Sequence, residues 1–473
     1  MHRHEEEFIT GAGMVARSFV AGMVKGRRVT IIGAARSGLA AAKLLRDNGA
    51  VVFVSDSGSE EKLASAMADL KELNVEFEIG EHSTRVFSCE LIVVSPGVPS
   101  TAPVLRDAER RRIDIISELE LASWFCPAPI AAITGTNGKT TTTTLTGRIL
   151  HDARRHHVVA GNIGTSFSSV VDTLNESSVA VLEVSSFQLD GIKTFHPRVS
   201  VLLNITPDHL DRYGGSMDLY VTSKCRVFEN QTKEDYLIYN YDDEVVRRCA
   251  RERASTQTRI VPFGIHRDFQ DGAYVRDDHL VTSLEGIDTT LIPTEEISIK
   301  GVHNLYNAMA SALTAELLGV SIPSIRATLK NFKGVEHRLE FVRTLDGITY
   351  INDSKATNVD SVWYALQAYK NPLVLLVGGR DKGNDYGRLV PLVESHVRAI
   401  VAIGESADKV VSAFKDHARV QKASSMAEAV ALARSLAVGG DIVMLSPACA
   451  SFDWFENYEH RGRVFKQLVH ELA

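Results

Sequence analysis

Ile130-Ala131-Ala132-Ile133-Thr134 followed by Gly135-Thr136-Asn137-Gly138-Lys139-Thr140-Thr141 reads as a short buried strand that runs through a glycine-rich turn into the helical stretch 141–152. Glycines let a backbone wrap a phosphate closely, and successive N–H groups at a helix start point at it. A lysine neutralises its charge, and a threonine hydroxyl can take Mg²⁺. The longer GxxxxGK[ST] pattern needs glycine at 133, where Ile133 stands, so this is the shorter GxxGKT form. The competing reading is a strand-to-helix turn that is merely rich in glycine. Threonines 140–144 are poor helix material, because β-branched side chains lose rotamer freedom in a helix, and a bound nucleotide is the candidate for what favours it.

Outward from this stretch the chain alternates strand and helix patterns. Arg28–Ile32, a helical stretch 38–50 and Val51–Asp56 form one such unit. Leu91–Ser95, Pro129–Thr134, Val179–Val184 and Val199–Thr206 read as further buried strands, as do Leu373–Gly379, Ala399–Gly404 and Asp441–Ser446. This is the pattern of parallel sheets flanked by helices. Residues 231–300 differ, with short alternating strands and polar turns, and read as an excursion within a middle domain. Boundaries near 117 and 335 divide the chain into residues 1–117, 118–335 and 336–473, with residues 1 to about 26 an irregular lead-in. A length of 473 residues calls for several cores.

Lys and Arg number 52 against 59 Asp and Glu, a net charge of −7, which excludes a general attraction for nucleic acid. The charged opening MHRHEEEFIT lacks the apolar core of a secretory signal, and no apolar run is long enough to span a bilayer. Five cysteines stand singly, with no metal-finger spacing, which fits a reducing cytoplasm.

Other polar clusters lie near strand ends. Gly33-Ala34-Ala35-Arg36-Ser37-Gly38 resembles a dinucleotide fingerprint, with Asp56 where a ribose would be read. Ala35 replaces the middle glycine, which argues against NAD(P) and leaves another nucleotide or a purely structural turn. Ser95-Pro96-Gly97-Val98 closes another strand at the same sheet edge. Glu183 sits in the apolar run Val179–Val184, where a carboxylate needs a cation, Mg²⁺ or a structural partner. Pro207-Asp208-His209-Leu210-Asp211-Arg212-Tyr213 is dense in ionisable groups, His209 being either a metal or ligand contact or a hydrogen-bonded structural histidine. Lys224 lies in a helical stretch and alone reads as a solvated lysine. Asn304 and Asn307 share one helical face. Glu336–Leu339 and Asn352–Asn358 are polar runs at the edges of apolar segments.

Taken in order, GTNGKTT, LEVSSFQL, NITPDHLDRY, HNLYNA, EHRLE, YINDSKATN, VGGRDKGND and LSPACASFDWF resemble the Mur ligase family, from about residue 28 to the C-terminus. These are ATP-dependent amide-forming enzymes of bacterial cell-wall precursor synthesis. The SPGV loop, EVSSFQL and SPACASFD point to the branch that adds D-glutamate to UDP-N-acetylmuramoyl-L-alanine. The resemblance implies three α/β domains: a Rossmann-like N-terminal domain for the UDP-substrate, a central P-loop ATPase-like domain with a parallel sheet, and a Rossmann-like C-terminal domain binding ATP and D-glutamate. It implies ATP and two Mg²⁺ sites, with Thr140 and Glu183 holding one ion and His209 with a carbamylated Lys224 the other. Gly135, Thr136, Asn137, Gly138, Lys139, Thr140 and Thr141 would cradle the phosphates, Lys139 meeting the γ-phosphate. Asn304, Asn307, Arg338 and Asp353 match adenine-nucleotide contacts, and Lys355 a phosphate contact. Thr357, Lys382, Ser451 and Tyr458 match the D-glutamate contacts. Asp56, Ser95, Gly97, Asn162, Ser185 and Gln188 match those of the UDP-muramoyl pocket.

Two positions depart from the family pattern. Ser57-Gly58 follows Asp56 where some relatives offer Thr-Arg, and Tyr458 stands where phenylalanine is common. With three ligands on three domains, closure that aligns the reactants and excludes water predicts a hinge near residue 335, and the expectation is a cytoplasmic monomer with no nucleic-acid partner and no membrane insertion. A folylpolyglutamate synthase-like ligase shares the GTNGKT core but would lack the first domain and the SPACASFD ending. A nicotinamide dehydrogenase and a nucleotide-switched binding protein are the rivals from other classes.

Overall fold

In a computed structural model of the chain, residues 24–208, 210–253, 258–381 and 383–472 are described. They form two compact units. The first runs to Ile297 and includes Tyr306–Asn331, and the second comprises Ser298–Leu305 with the residues from Phe332 onward. Residues 1–23 of the expected lead-in lie outside the described residues. Among the described residues no helix is long and apolar enough to cross a membrane.

The first unit carries two sheets. One is built of β1 (Arg28–Ile32), β2 (Val51–Asp56), β3 (Glu76–Ile79), β4 (Leu91–Val94) and β5 (Asp114–Ser117), in the order β3-β2-β1-β4-β5 and parallel throughout. The other contains β6 (Ile130–Thr134), β7 (His157–Gly161), β8 (Val179–Glu183), β9 (Val199–Leu202), β10 (Tyr236–Asn240), β11 (Arg259–Phe263), β12 (Gly272–Arg276), β13 (His279–Leu284) and β14 (Ile287–Pro293). Its order is β14-β13-β12-β11-β10-β9-β6-β8-β7. β6 lies between β8 and β9, parallel to both, and is buried along its whole length, which is why it reads as an unbroken apolar run.

The excursion foreseen at 231–300 ends in the antiparallel ribbon β12-β13-β14. Asp277 and Asp278 both take positive φ between β12 and β13, as do Glu285 and Gly286 between β13 and β14, the geometry of tight primed hairpin turns.

The second unit carries β15 (Glu340–Leu345), β16 (Ile348–Asn352), β17 (Leu373–Gly378), β18 (Val397–Ile403), β19 (Arg419–Lys422) and β20 (Ile442–Leu445), ordered β15-β16-β20-β17-β18-β19. Only β15 is antiparallel. Apolar clusters cover both faces, Leu375, Val377 and Met444 on one side and Val374, Leu376 and Val443 on the other.

The strand expected at Val199–Thr206 stops at Leu202. Beyond it the backbone turns to pair with the glycine loop: Asn204 O accepts from Thr136 N (2.8 Å), and Thr206 N donates to Thr136 Oγ1 (3.0 Å). Strand ends thus deliver loops to one edge of each parallel sheet, the edge at which open α/β sheets bind ligands.

Candidate active site

The loop after β6 is held in shape by hydrogen bonds within the chain. Asn204 clamps it from the chain after β9, its Oδ1 accepting from Asn137 N (2.8 Å) and its Nδ2 donating to Asn137 O (2.9 Å). Gly138 caps the helix Lys139–Asp152 with a φ of 86°, and a Cβ there would lie 2.4 Å from Asn307 Oδ1. Only glycine suits that corner. Thr140 and Thr141 are buried in the first helical turn, and Thr142 Oγ1 donates to Asn307 Oδ1 (3.2 Å). The Lys139 ammonium folds back to donate to the carbonyls of Gly135 (2.9 Å) and Thr136 (2.8 Å). Packing against neighbours, rather than intrinsic propensity, sustains the threonine-rich helix.

Glu183 is the last residue of β8, and its partner in β6 is Ile133, two residues before the loop. Its Oε1 accepts from Asn162 Nδ2 (3.0 Å), while its buried Oε2 has no hydrogen-bond partner among the described residues. Asn162 N also donates to Glu183 O (2.8 Å), so Asn162 positions the carboxylate. Ser185 and Gln188 spend hydrogen bonds on each other in a capping box at the start of the helix Ser186–Leu189.

Lys224 overturns the solvated reading. It lies on the helix Met217–Cys225 with 2% of its surface exposed, donates to Gly135 O (2.8 Å) and sits 4.6 Å from the centroid of the Tyr220 ring. Burial, reinforced by the Lys139 charge, pushes its ammonium well below the ordinary lysine range. Gly135 O therefore receives two lysine side chains, two residues past the Ile133 that pairs with Glu183 in the sheet. An arrangement of this kind suits a di- or trivalent anion together with a divalent cation. His209 lies outside the described residues.

The turn after β1 lines a cavity of about 1020 Å³ together with Asp56, Ser95, Gly97 and Asn162. Asp56 holds the turn through Oδ2, which accepts from Ala34 N (2.7 Å), and Oδ1, which accepts from Gly58 N (2.7 Å). Ser95 Oγ donates to Gly33 O (3.0 Å). A Cβ on Gly38 would fall 1.8 Å from Gly33 O, so helix and turn touch through backbone alone. The helix Arg36–Asp47 has no side-chain cap, leaving its first N–H groups to the cavity, and the Arg36 guanidinium donates to Gly164 O across it. Ser185 and Gln188 do not line this cavity.

In the second unit, His337 (φ 64°) and Leu339 (φ 44°) both take left-handed backbone around Arg338, whose buried Nε has no hydrogen-bond partner among the described residues. Asp353 follows β16, accepts from Leu339 N (3.2 Å) and Ser446 Oγ (2.8 Å), and is fully buried. Burial pushes its carboxyl up to about 6, against the pull of Arg338. Lys355 Nζ donates to the Tyr458 hydroxyl (3.3 Å), and the Lys355 carbonyl accepts from Thr357 N (2.9 Å). Tyr458 opens the helix Tyr458–Glu471, and its carbonyl accepts from Ser354 Oγ (2.8 Å). Ser451 is buried, and Asn304 Nδ2 donates to Lys300 O (2.8 Å). Lys382 lies outside the described residues.

Residues that sequence reading passed over brace these loops. Asn204 clamps the glycine loop, Tyr220 backs Lys224, and Ser446 supports Asp353. The buried Arg461 donates to Ser354 Oγ (3.0 Å) and to Cys449 O (3.1 Å), joining two loops of the second unit. Asn204 offered a signal, as a polar residue in an apolar run; a helical Arg461 offered none.

Three family models match the chain: "Mur ligase MurD-like, N-terminal domain" over residues 27–117, "Mur ligase middle domain" over 133–315, and "Mur ligase, glutamate ligase domain" over 337–449. A UDP-N-acetylmuramoylalanine–D-glutamate ligase of Chloroherpeton thalassium is 48% identical over 463 residues, covering 95% of this chain and 99% of its own length. The protein of the same name from Salinibacter ruber is 48% identical over 460 residues, with coverages of 95% and 99%. Among solved structures, a pseudomurein peptide ligase type C from Methanothermus fervidus superimposes with a TM-score of 0.60 at 18% identity, covering 94% of this chain and 100% of its own. A UDP-N-acetylmuramate-alanine ligase from Thermotoga maritima gives 0.57 at 19% identity, with coverages of 94% and 99%. The two structures share the fold.

Proposed function

This chain belongs to the Mur ligase family, and from that premise we propose that it joins D-glutamate to UDP-N-acetylmuramoyl-L-alanine at the expense of ATP, in the cytoplasmic synthesis of peptidoglycan precursor. The relatives named for that reaction support the substrates. What carries the chemistry is the charge set at the glycine loop: Lys139 and Lys224 both on Gly135 O, and Glu183 at the end of the neighbouring strand, whose buried Oε2 has no hydrogen-bond partner among the described residues.

The alanyl carboxylate attacks the γ-phosphorus of ATP, the bond to the β–γ bridging oxygen breaks, and ADP leaves with that electron pair. The product is an acyl phosphate. The neutral amine of D-glutamate then adds to the acyl carbon, and the tetrahedral adduct expels phosphate and loses a proton to give the amide. In the first step two anions must meet. Lys139 exchanges its loop carbonyls for the γ-phosphate, and the backbone N–H groups of Gly135–Thr141 hold the phosphates in line. Asn304, Asn307, Arg338 and Asp353 are proposed for the adenosine and Lys355 for a phosphate. Thr357, Ser451 and Tyr458, with Lys382, are proposed for D-glutamate, and Asp56, Ser95, Gly97, Asn162, Ser185 and Gln188 for the UDP-muramoyl substrate.

The donor set fits Mg²⁺, since Glu183 offers a buried carboxylate oxygen with no hydrogen-bond partner among the described residues and Thr140 offers a buried hydroxyl in the first turn of the helix after the glycine loop. Thr140 and Glu183 would hold one ion, and His209 with a carbamylated Lys224 a second. When bound, such an ion neutralises charge between the reacting anions. Carbamylation of Lys224 needs the neutral amine that burial favours, because only that form attacks CO₂.

ADP release in the presence of UDP-N-acetylmuramoyl-L-alanine is the test, comparing D-glutamate with L-glutamate, lysine and diaminopimelate. A strong preference for D-glutamate is expected, and equal rates with all four contradict the assignment. With the substrate carboxylate labelled with ¹⁸O, one labelled oxygen must appear in the released phosphate; unlabelled phosphate rules out the acyl phosphate.

A further inference from the structure

The loop Ser95-Pro96-Gly97-Val98 is a wall between two cavities. Ser95, Pro96 and Val98 line both the 1020 Å³ cavity and a smaller one of about 290 Å³ behind it. The ends of the loop are tied to it locally: Ser95 N donates to Ile32 O (3.0 Å) and Val98 N to Ser95 O (3.0 Å). Its tip is bare, since a Cβ built on Gly97 meets nothing within 4 Å. Among the described residues, Arg212 is the one side chain that donates to the tip carbonyls, Nη1 to Pro96 O (3.4 Å) and Nη2 to Gly97 O (3.2 Å).

Arg212 is itself seated. Its guanidinium lies 4.1 Å from the centroid of the Phe187 ring, and that ring stacks on Tyr213 at 6.2 Å. The Tyr213 hydroxyl in turn donates to Asp190 Oδ2 (3.0 Å) and lies 3.2 Å from Ser223 Oγ. Among the described residues Arg212 forms no ion pair, so its charge is spent on two backbone dipoles and a ring face. A planar fork can address two successive carbonyls while stacked, which a lysine cannot do.

We propose that Arg212 is a positioning residue: a strut from the segment after β9 that fixes the Ser95–Val98 loop as the wall of the larger cavity and so sets affinity for the ligand bound there. The consequence for substrate rests on the reading of that cavity as the sugar-nucleotide site.

The experiment uses the full-length protein and three variants, Arg212→Ala, Arg212→Lys and Phe187→Leu. In ligand-free protein, Arg212→Ala is expected to speed amide exchange at Val98 by about tenfold or more, the loss of two charge-assisted hydrogen bonds. In turnover assays the KM for UDP-N-acetylmuramoyl-L-alanine rises by about tenfold, while kcat and the KM for ATP stay within about twofold. Arg212→Lys, which keeps the charge without the fork, recovers little of the loss, and Phe187→Leu falls between wild type and Arg212→Ala. Unchanged exchange at Val98, or a fall in kcat with KM untouched, overturns the strut. Faster exchange in a protein whose wild type never saturates with the sugar nucleotide upholds the strut and removes the substrate reading instead.

Discussion

The turn after β1 and the loop after β6 are the same piece of architecture with different electrostatics. Each follows a central parallel strand, passes through glycines and opens a helix. Around the first, Asp56 is consumed in holding backbone, and its cavity is rimmed by N–H groups and an arginine engaged with a carbonyl. Around the second, two lysines donate to one carbonyl, and the Glu183 carboxylate on the neighbouring strand keeps one buried oxygen with no hydrogen-bond partner among the described residues. The first arrangement can bind an anion; the second can also respond when charge moves. Buried charge is what separates a catalytic loop from a binding loop of equal geometry.

The sharpest way to break the contrast is Lys139→Ala. With no cation to replace the loop carbonyls on the γ-phosphate, turnover should fall by about 10³-fold or more, measured as ADP release, while binding of the sugar nucleotide by calorimetry stays near wild type. Comparable losses in both would erase the division of labour.

Lys224→Ala should cost about 10²-fold in turnover and be partly rescued by formate or acetate, small carboxylates that can stand where the carbamate stood. No rescue at any carboxylate concentration argues against the carbamate. Stability supplies an independent reading. The depressed ammonium binds fewer protons in the folded than in the unfolded chain between its folded value and the ordinary lysine value, so stability rises with pH through that interval. Lys224→Met removes that dependence and should raise the neutral-pH melting temperature by about 2 °C or more even as activity is lost; an unchanged pH profile of stability would mean the amine is charged in the fold.

Asp56→Asn bears on the other turn. Asn keeps one carbonyl oxygen where the carboxylate offered two, so one of the Ala34 and Gly58 amides loses its acceptor. An increase of about tenfold in KM for the sugar nucleotide is expected, with kcat nearly unchanged.

Much of this contrast is legible in sequence. Continuous apolar runs ending in glycine mark β1 and β6, and a lone carboxylate in Val179–Val184 announces Glu183. Other features are not, because they arise from distant segments meeting. Lys224 reads as solvent-facing until Tyr220 and Gly135 close over it. β9 reads four residues too long, since Asn204 and Thr206 pair with the glycine loop instead of a ladder. Arg212 and Arg461 carry no local pattern, their partners being carbonyls remote in sequence. The division of site residues by role likewise needs coordinates: Asn162 faces both Glu183 and the larger cavity, while Gln188 caps its own turn.

The smallest expected effect is none at all. Gly33–Gly38 looks enough like a dinucleotide fingerprint that NAD(P)H binding is the natural challenge to the sugar-nucleotide reading. Ala35, at the helix cap, puts a methyl where close approach of a pyrophosphate needs a bare backbone, and both Asp56 oxygens already accept from the turn. Titration with NADH and NADPH should therefore leave protein and nicotinamide fluorescence unchanged at concentrations that saturate known dinucleotide folds, whereas UDP-N-acetylmuramoyl-L-alanine should produce heat in the same cell. A saturable nicotinamide signal abolished by Asp56→Asn would move the first sheet to a different ligand class and leave the charge set on the Gly135 loop without its acceptor.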